Sequence, residues 1–118
     1  MAHEAILVVE DETLVALELK EGLERLGYSV PKVVEQGEDV LGAVAEHRPD
    51  LVLMDIRLSG GIDGIDAASQ AKAEFEVPVI YLTAFSDAET LQRAAKTGPD
   101  AFLLKPVDYL GFRLCLFV

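Results

Sequence analysis

The 118-residue chain has a single cysteine, Cys115, and no tryptophan. One cysteine excludes a disulfide bond within the chain, which favours a reducing compartment, so we expect a cytoplasmic protein. The first apolar run starts within a few residues of Met1, so we expect no secretory signal peptide. No apolar stretch reaches the length that crosses a bilayer, and we therefore expect no membrane contact.

Basic residues are also scarce. The chain has 10 Lys and Arg against 21 Asp and Glu, which gives a formal net charge of −11. Because nucleic-acid binding relies on Lys and Arg to neutralise phosphates, we expect no direct nucleic-acid binding by this chain. Solvated helix faces explain most of the acidic residues, although an acidic surface also suits a basic partner.

Short apolar runs of Val, Ile and Leu are abundant, and hydrophobic residues make up 51% of the chain. Such runs, separated by helical patterns, are typical of the buried parallel strands of an α/β fold. The length fits one domain, so we predict a single domain over residues 1–118. The runs that end at a charged or hydroxyl residue are 6–9, 51–54, 79–82 and 101–104.

Amphipathic patterns fill the intervals between these runs. Ser29–Val34 predicts a further strand, placed at an edge of the sheet because Pro31 cannot donate a ladder hydrogen bond. Gly27 is expected to end the first helix, and the glycines of Ser59–Gly64 predict a loop. The predicted helices are 15–26, 37–47, 65–76 and a fourth that Ser86 or Asp87 caps and that ends near Gly98.

The end of the chain departs from the pattern. A fifth helix is expected after Pro106, but Arg113 is the only polar side chain from Gly111 onward and the run is short. We therefore predict a short or atypical fifth helix, with an atypical segment at residues 110–118. If it were exposed, this apolar segment would form a hydrophobic surface patch prone to association. We therefore predict that it is buried against a partner, a missing domain or a second copy in a homodimer.

Three carboxylates, Glu10, Asp11 and Glu12, follow the first apolar run. Adjacent carboxylates repel one another, so a buried pair needs a cation or hydrogen bonds. Mg²⁺ takes oxygen ligands of this kind. An equally simple interpretation is a solvated loop whose acids favour the start of the next helix.

Single polar residues end three other runs: Asp55, Thr83 and Lys105. A carboxylate can act as a nucleophile that forms an aspartyl phosphate, a hydroxyl can bind a phosphoryl oxygen, and an ammonium can offset phosphate charge. Each residue is also common at a strand end without any such role. Since ligands bind at the carboxyl ends of strands in open α/β sheets, the set predicts a metal-assisted phosphoryl site at one edge.

Together these motifs resemble the response-regulator receiver domain of two-component signalling, the domain type of the chemotaxis regulators. They are Val-Val-Glu-Asp-Glu at 8–12, Pro-Asp-Leu-Val-Leu-Met-Asp at 49–55, Leu-Thr-Ala at 82–84 and Leu-Leu-Lys-Pro at 103–106, within a match over about 4–109. The resemblance implies a doubly wound, flavodoxin-like α/β fold whose five-stranded parallel sheet has the order 2-1-3-4-5. It also implies phosphoryl transfer from a sensor histidine kinase or a phosphotransfer protein.

The resemblance further implies a role for each site residue. Asp55 is the expected phosphoacceptor. Mg²⁺, or Mn²⁺ in its place, is expected to bind Glu10, Asp11, Asp55 and the backbone carbonyl of Arg57.

Thr83 and Lys105 are expected to hold the phosphoryl group. Phe102 stands where the family has its switch aromatic, although it also suits a plain sheet or core aromatic. Phosphorylation is then expected to alter the surface around the fourth helix and fifth strand, which would signal to a partner or output domain.

The chain departs from the family pattern in the loop after Asp55, which lacks the common proline and has one extra residue before Asp63-Gly64. We expect a signalling switch and not an enzyme, either as a stand-alone protein or as a fragment of a longer one. Two alternatives remain open. One is a pseudo-receiver that only binds partners. The other is an aspartyl-phosphate phosphatase, against which Arg57 argues because such enzymes commonly have an acid at that position.

Overall fold

The computed structural model describes residues 4–58, 61–83 and 88–105. Its sheet has five parallel strands in the order β2-β1-β3-β4-β5, which confirms the predicted fold class and strand order. The strands are β1 (Ile6–Val9), β2 (Val33–Val34), β3 (Leu51–Asp55), β4 (Val79–Thr83) and β5 (Ala101–Leu104). The α-helices of the described ranges are α1 (Thr13–Arg25), α2 (Val40–His47), α3 (Gly64–Phe75) and α4 (Ala88–Ala95).

Helices cover both faces of the sheet, and two apolar clusters fill the space between. Successive residues of a strand point to opposite faces. Leu7 and Met54 therefore pack with residues of α2 and α3, whereas Val8 and Leu53 pack with residues of α1. Because both faces are covered, β1 and β3 are buried along their whole length, which is why they are continuous apolar runs.

The amphipathic pattern of α1 is confirmed. Ala16, Leu19 and Leu23 are buried against the sheet, while Leu14 and Leu17 are exposed. The helix ends before Gly27, as predicted. Gly27 has a φ of 99°, in the left-handed region that glycine adopts without a steric penalty.

Two predicted boundaries were wrong. The segment 37–47 is not a single helix, because it begins with a 3₁₀ turn at Gly37–Asp39 that precedes α2. The second strand is limited to Val33–Val34, with only an isolated bridge between Ser29 and Ala5 before it. Pro31 explains the shortening, since it has no N–H to donate between these two points.

Two Pro-Asp turns set the register of the sheet at its other edge. Asp50 accepts a hydrogen bond at Oδ2 from the Ala5 amide (2.7 Å) and donates its own amide to the Ala5 carbonyl (2.8 Å). Asp100 makes the same pair of bonds with Val79, at 2.9 Å and 2.8 Å. Each aspartate thus fastens the start of its own strand to the start of the neighbouring strand.

Several predictions fall outside the described residues. They are the capping residue of the fourth helix (Ser86 or Asp87), the glycine-rich loop at 59–60, and the fifth helix and apolar segment within 106–118. Within the part of the chain that is described, no helix is long and apolar enough to cross a bilayer.

Candidate functional site

The carboxyl ends of four strands bring the predicted site residues to one edge of the sheet. Glu10 and Asp11 follow β1, Asp55 ends β3, Thr83 ends β4 and Lys105 follows β5. Hydrogen bonds continue the ladder into this edge, since the Lys105 amide donates to the Thr83 carbonyl at 3.0 Å. Residues far apart in the chain therefore meet because the strands are parallel and adjacent.

Three carboxylates form the centre of this edge. One oxygen from each of Glu10, Asp11 and Asp55 lies within 4.8 Å of the others. Glu10 is fully buried and Asp55 is only 5% exposed, whereas Asp11 is half-buried. Such a group repels itself strongly unless a cation lies beside it.

Lys105 supplies positive charge at this point. Its Nζ donates to Oε1 of Glu10 at 2.9 Å and to Oδ2 of Asp55 at 3.0 Å. The other oxygen of Asp55, Oδ1, accepts a hydrogen bond from the Arg57 amide at 3.0 Å. The two oxygens of Asp55 thus have different donors, and these fix the plane of the carboxylate.

The pKa values of Glu10 and Lys105 reflect two opposing effects, burial and the charge of neighbouring groups. Burial raises the pKa of Glu10 to about 7, against the lowering effect of the Lys105 hydrogen bond and with a further rise from Asp55. Burial alone would lower the pKa of Lys105. Hydrogen bonds and charges from Glu10 and Asp55 outweigh it, so the pKa of Lys105 is raised and the ammonium stays charged.

The remaining predicted residues lie close to this centre or on the adjoining strands. Thr83 is half-buried at the end of β4, and Arg57 is exposed two residues after Asp55. Phe102 is 38% exposed on β5, where its ring centroid lies 5.7 Å from that of Tyr81. The strand register pairs Phe102 with Tyr81, which lies two residues before Thr83 on β4.

Two features of the site's surroundings were not found by sequence reasoning. The first is Gly64, where an added Cβ would overlap the carbonyl oxygen of Asp55. The second is Asp63, which caps α3 by accepting a hydrogen bond from the Asp66 amide at 2.9 Å. An Asp directly before a helical pattern indicates such a cap, so this signal was present in the sequence.

The donor set suits a hard divalent cation. The three clustered groups offer only carboxylate oxygens, which Mg²⁺ and Mn²⁺ prefer. A single ammonium balances only part of their charge. These residues therefore fit a divalent ion on chemical grounds.

Comparison with known proteins agrees with the fold. Residues 6–111 match the family model described as the response regulator receiver domain. The chain belongs to this family. Receiver domains are the modules of two-component response regulators, which interact with histidine kinases.

Individual relatives support this membership. The transcriptional regulatory protein PdtaR of Mycobacterium tuberculosis is 38% identical over 101 residues, which cover 86% of this chain and 49% of PdtaR. The crystal structure of a receiver domain of a modulated diguanylate cyclase from Desulfovibrio desulfuricans has a TM-score of 0.93 at 36% identity, covering 98% of this chain and 92% of that one. The chain thus spans about half the length of PdtaR, one of the curated relatives that it matches.

A third relative bears on the metal. The receiver domain of the sensor histidine kinase PA1611 from Pseudomonas aeruginosa has a TM-score of 0.86 at 30% identity, covering 98% of this chain and 95% of that one. Its crystal structure has a magnesium ion coordinated in the active-site cleft. In this chain the cluster of Glu10, Asp11 and Asp55 is the candidate site for such an ion.

Proposed function

We propose that this chain is a phosphorylatable receiver that accepts a phosphoryl group on Asp55 from a sensor histidine kinase or a phosphotransfer protein. The observation that carries the proposal is the contact of Lys105 Nζ with both Asp55 (3.0 Å) and Glu10 (2.9 Å) inside the carboxylate cluster. A cation and several oxygen ligands around one oriented carboxylate are the parts that phosphoryl transfer requires.

The reaction on Asp55 is an in-line displacement. A carboxylate oxygen of Asp55 attacks the phosphorus of a phosphohistidine, and the new O–P bond forms as the P–N bond breaks. The imidazole nitrogen leaves with the electron pair of that bond. Water later hydrolyses the acyl phosphate, which returns Asp55 to the carboxylate form.

The neighbouring residues bind and orient the group that is transferred. Lys105, already in contact with Asp55, exchanges a carboxylate oxygen for a phosphoryl oxygen, and Thr83 donates its hydroxyl to another. Glu10, Asp11, Asp55 and the Arg57 carbonyl would hold Mg²⁺ or Mn²⁺. The ion, when bound, supplies charge neutralisation at the transferring group.

The output is a change of surface. Movement of Thr83 toward the phosphoryl group leaves space into which Phe102, now 38% exposed, turns inward. The ring would then leave the surface formed by α4 and β5, which changes what a partner or output domain meets there.

The test is incubation with acetyl phosphate and Mg²⁺, followed by intact-mass measurement. We expect one added phosphoryl group, which is lost on Asp55→Asn or when a chelator removes the metal. Asp39→Asn, at an exposed acid of the 3₁₀ turn, is the matched control and should still be phosphorylated. Failure to gain mass with acetyl phosphate, phosphoramidate or a phosphorylated kinase would contradict the proposal.

Several narrower expectations accompany this proposal. The chain acts as a switch and not as an enzyme, works in the cytoplasm, and binds neither nucleic acid nor membrane directly. A homodimer through the C-terminal segment stays a prediction, because that segment lies outside the described residues. Multiple turnover of a phosphomonoester would instead favour the phosphatase alternative, and a chain that binds partners without accepting phosphate would favour the pseudo-receiver.

A further inference from the structure

The fourth helix has little apolar contact with the rest of the fold, namely the buried Ala94 and the partly buried Leu91, which packs against the core. Ala94 is its only buried residue among those described. Five of its eight residues are exposed, and Arg93 is one of these five. Arg93 Nη2 lies 3.1 Å from Oδ2 of Asp63 and 3.4 Å from Oδ1 of Asp66. A helix with so little apolar burial depends on such contacts for its position.

Asp63, which pairs with Arg93, lies directly before α3 and close to the backbone of Asp55. Asp63 uses its other oxygen, Oδ1, to cap α3 through the Asp66 amide. The next residue, Gly64, donates its amide to the Ile56 carbonyl at 3.2 Å. An added Cβ on Gly64 would overlap the Asp55 carbonyl oxygen. The start of α3 therefore touches the backbone of the phosphoacceptor directly.

From these contacts we propose that Arg93 and Asp63 are positioning residues that link α4 to the metal-binding backbone at Asp55–Arg57. The inference rests on the proposed function, since it concerns Mg²⁺ binding at that site. The ion pair holds the first turn of α3, and the first turn holds the backbone between Asp55 and Arg57. Without the ion pair, the backbone between Asp55 and Arg57 is less ordered in the metal-free chain. Mg²⁺ binding must then order this backbone, and that cost lowers the affinity for Mg²⁺.

The same link acts in the opposite direction. If Arg93 strengthens Mg²⁺ binding through Asp63, then Mg²⁺ must stabilise the attachment of α4 by the same factor, because coupling between two equilibria is reciprocal. This route from the site to α4 does not pass through Thr83 or Phe102. It would let metal occupancy alone influence the α4 surface before any phosphorylation.

The first experiment is calorimetric titration of Mg²⁺ into the whole chain at low ionic strength. Arg93→Met and Asp63→Asn should each raise the Kd by about two- to fivefold, the range that an exposed ion pair can supply. Asn at position 63 keeps the helix cap. Lys96→Met removes the same charge from an exposed residue just beyond α4 and should leave the Kd close to the wild-type value.

The double variant and salt separate this role from a general loss of structure. Arg93→Met combined with Asp63→Asn should be no weaker than either change alone, and Arg93→Lys should recover part of the affinity. The ratio of the Arg93→Met Kd to the Lys96→Met Kd should approach one at about 1 M salt, where the screening length is about 3 Å. Additive effects, or a ratio that salt does not change, would overturn the proposal.

Hydrogen exchange tests the reverse direction. Mg²⁺ should slow amide exchange in α4 of the wild-type chain, and this slowing should disappear in Arg93→Met while it persists in Lys96→Met. Equal Mg²⁺ affinity in Arg93→Met and Lys96→Met would refute the positioning role but leave the proposed function intact. A wild-type chain that binds no Mg²⁺ would overturn the proposed function itself, and this inference with it.

Discussion

Lys105 and Glu10 are 95 positions apart in the chain, yet Nζ of Lys105 donates to Oε1 of the fully buried Glu10 at 2.9 Å. The same ammonium reaches Asp55. One lysine therefore neutralises a buried acid and also contacts the proposed nucleophile. We therefore expect Lys105 to contribute to both stability and phosphorylation, and different substitutions separate the two.

Replacing Lys105 with methionine should affect both properties. The loss of its charge at the transferring group should slow phosphorylation of Asp55 by roughly 10²- to 10³-fold. Oε1 of the buried Glu10 would lose its hydrogen bond from Lys105, while Oε2 keeps the one from the Glu12 amide. This loss should lower the free energy of unfolding by about 1–3 kcal/mol. Intact mass against time and urea denaturation at neutral pH measure the two effects.

The double variant Lys105→Met, Glu10→Gln distinguishes these effects. Loss of Lys105 removes the hydrogen bond that lowers the pKa of Glu10, so at neutral pH the folded chain must bury a carboxylate there or take up a proton. The neutral amide avoids both costs, so stability should recover while phosphorylation stays slow. If stability does not recover, the lower free energy of unfolding of Lys105→Met does not come from Glu10 having lost its partner.

Mg²⁺ should stabilise the fold, because the acidic cluster is a ligand set in the folded chain only. A ligand at one hundred times its Kd adds about 2.7 kcal/mol to the free energy of unfolding. Asp11→Asn removes one oxygen ligand from the cluster, and should shift the midpoint of this stabilisation to higher Mg²⁺ concentration. The measurement is a series of urea denaturation curves at increasing Mg²⁺.

Asp39→Asn, at an exposed position outside the cluster, is the control for the loss of one negative charge. It should give the same Mg²⁺ dependence as the wild-type chain. Equal shifts in Asp11→Asn and Asp39→Asn would mean that Mg²⁺ acts only by screening the net charge.

Two glycines should respond to alanine in opposite ways. At Gly64 the new Cβ would overlap the Asp55 carbonyl oxygen, so Gly64→Ala should destabilise the fold by about 1–3 kcal/mol and slow phosphorylation. At Gly42, in α2, the Cβ would meet no atom within 4 Å. Gly42→Ala should stabilise the fold by about 0.5–1 kcal/mol through helix propensity. Thermal and urea denaturation measure both variants. If Gly64→Ala is no less stable than Gly42→Ala, the tight contact between Gly64 and the Asp55 carbonyl is contradicted.

Tyr81 should make stability depend on pH in the alkaline range. Its ring is fully buried in β4, and its hydroxyl lies 2.7 Å from Oγ1 of Thr97. Burial raises the pKa of Tyr81, so the folded chain keeps this proton at a pH where the unfolded chain has lost it. The contribution to stability is therefore complete below the unfolded pKa of about 10 and is lost as the pH rises through the folded pKa.

Tyr81→Phe removes the titrating group and tests this dependence. Between about pH 9 and pH 11, the free energy of unfolding should fall more steeply in the wild-type chain than in the variant. The variant should also be about 1 kcal/mol less stable at neutral pH, because the hydrogen bond to Thr97 is lost. Parallel slopes in the two chains would show that Tyr81 does not titrate differently on unfolding.

The fold was largely predictable because its signals are local. The strands β1 and β3 are continuous apolar runs because both of their faces are buried. The helix α1 has a periodic apolar pattern because only one of its faces is buried. The errors fell where local patterns compete. Residues 37–39 have a helical pattern but form a 3₁₀ turn, and there an added Cβ on Gly37 would overlap the Ile62 carbonyl oxygen. Packing against another loop, which no local pattern reports, excludes larger residues at that position.

The sequence by itself determined which polar groups gather at the site, because parallel strands carry their carboxyl ends to one edge wherever they lie in the chain. Only the tertiary structure decided how these groups pair. Lys105 bonds to both Glu10 and Asp55, and Arg93 reaches Asp63 across 30 positions. Such pairings depend on where side chains point after the helices have packed on the sheet. Strand periodicity limits which residues meet at an edge, but it does not specify which atoms come within hydrogen-bond distance.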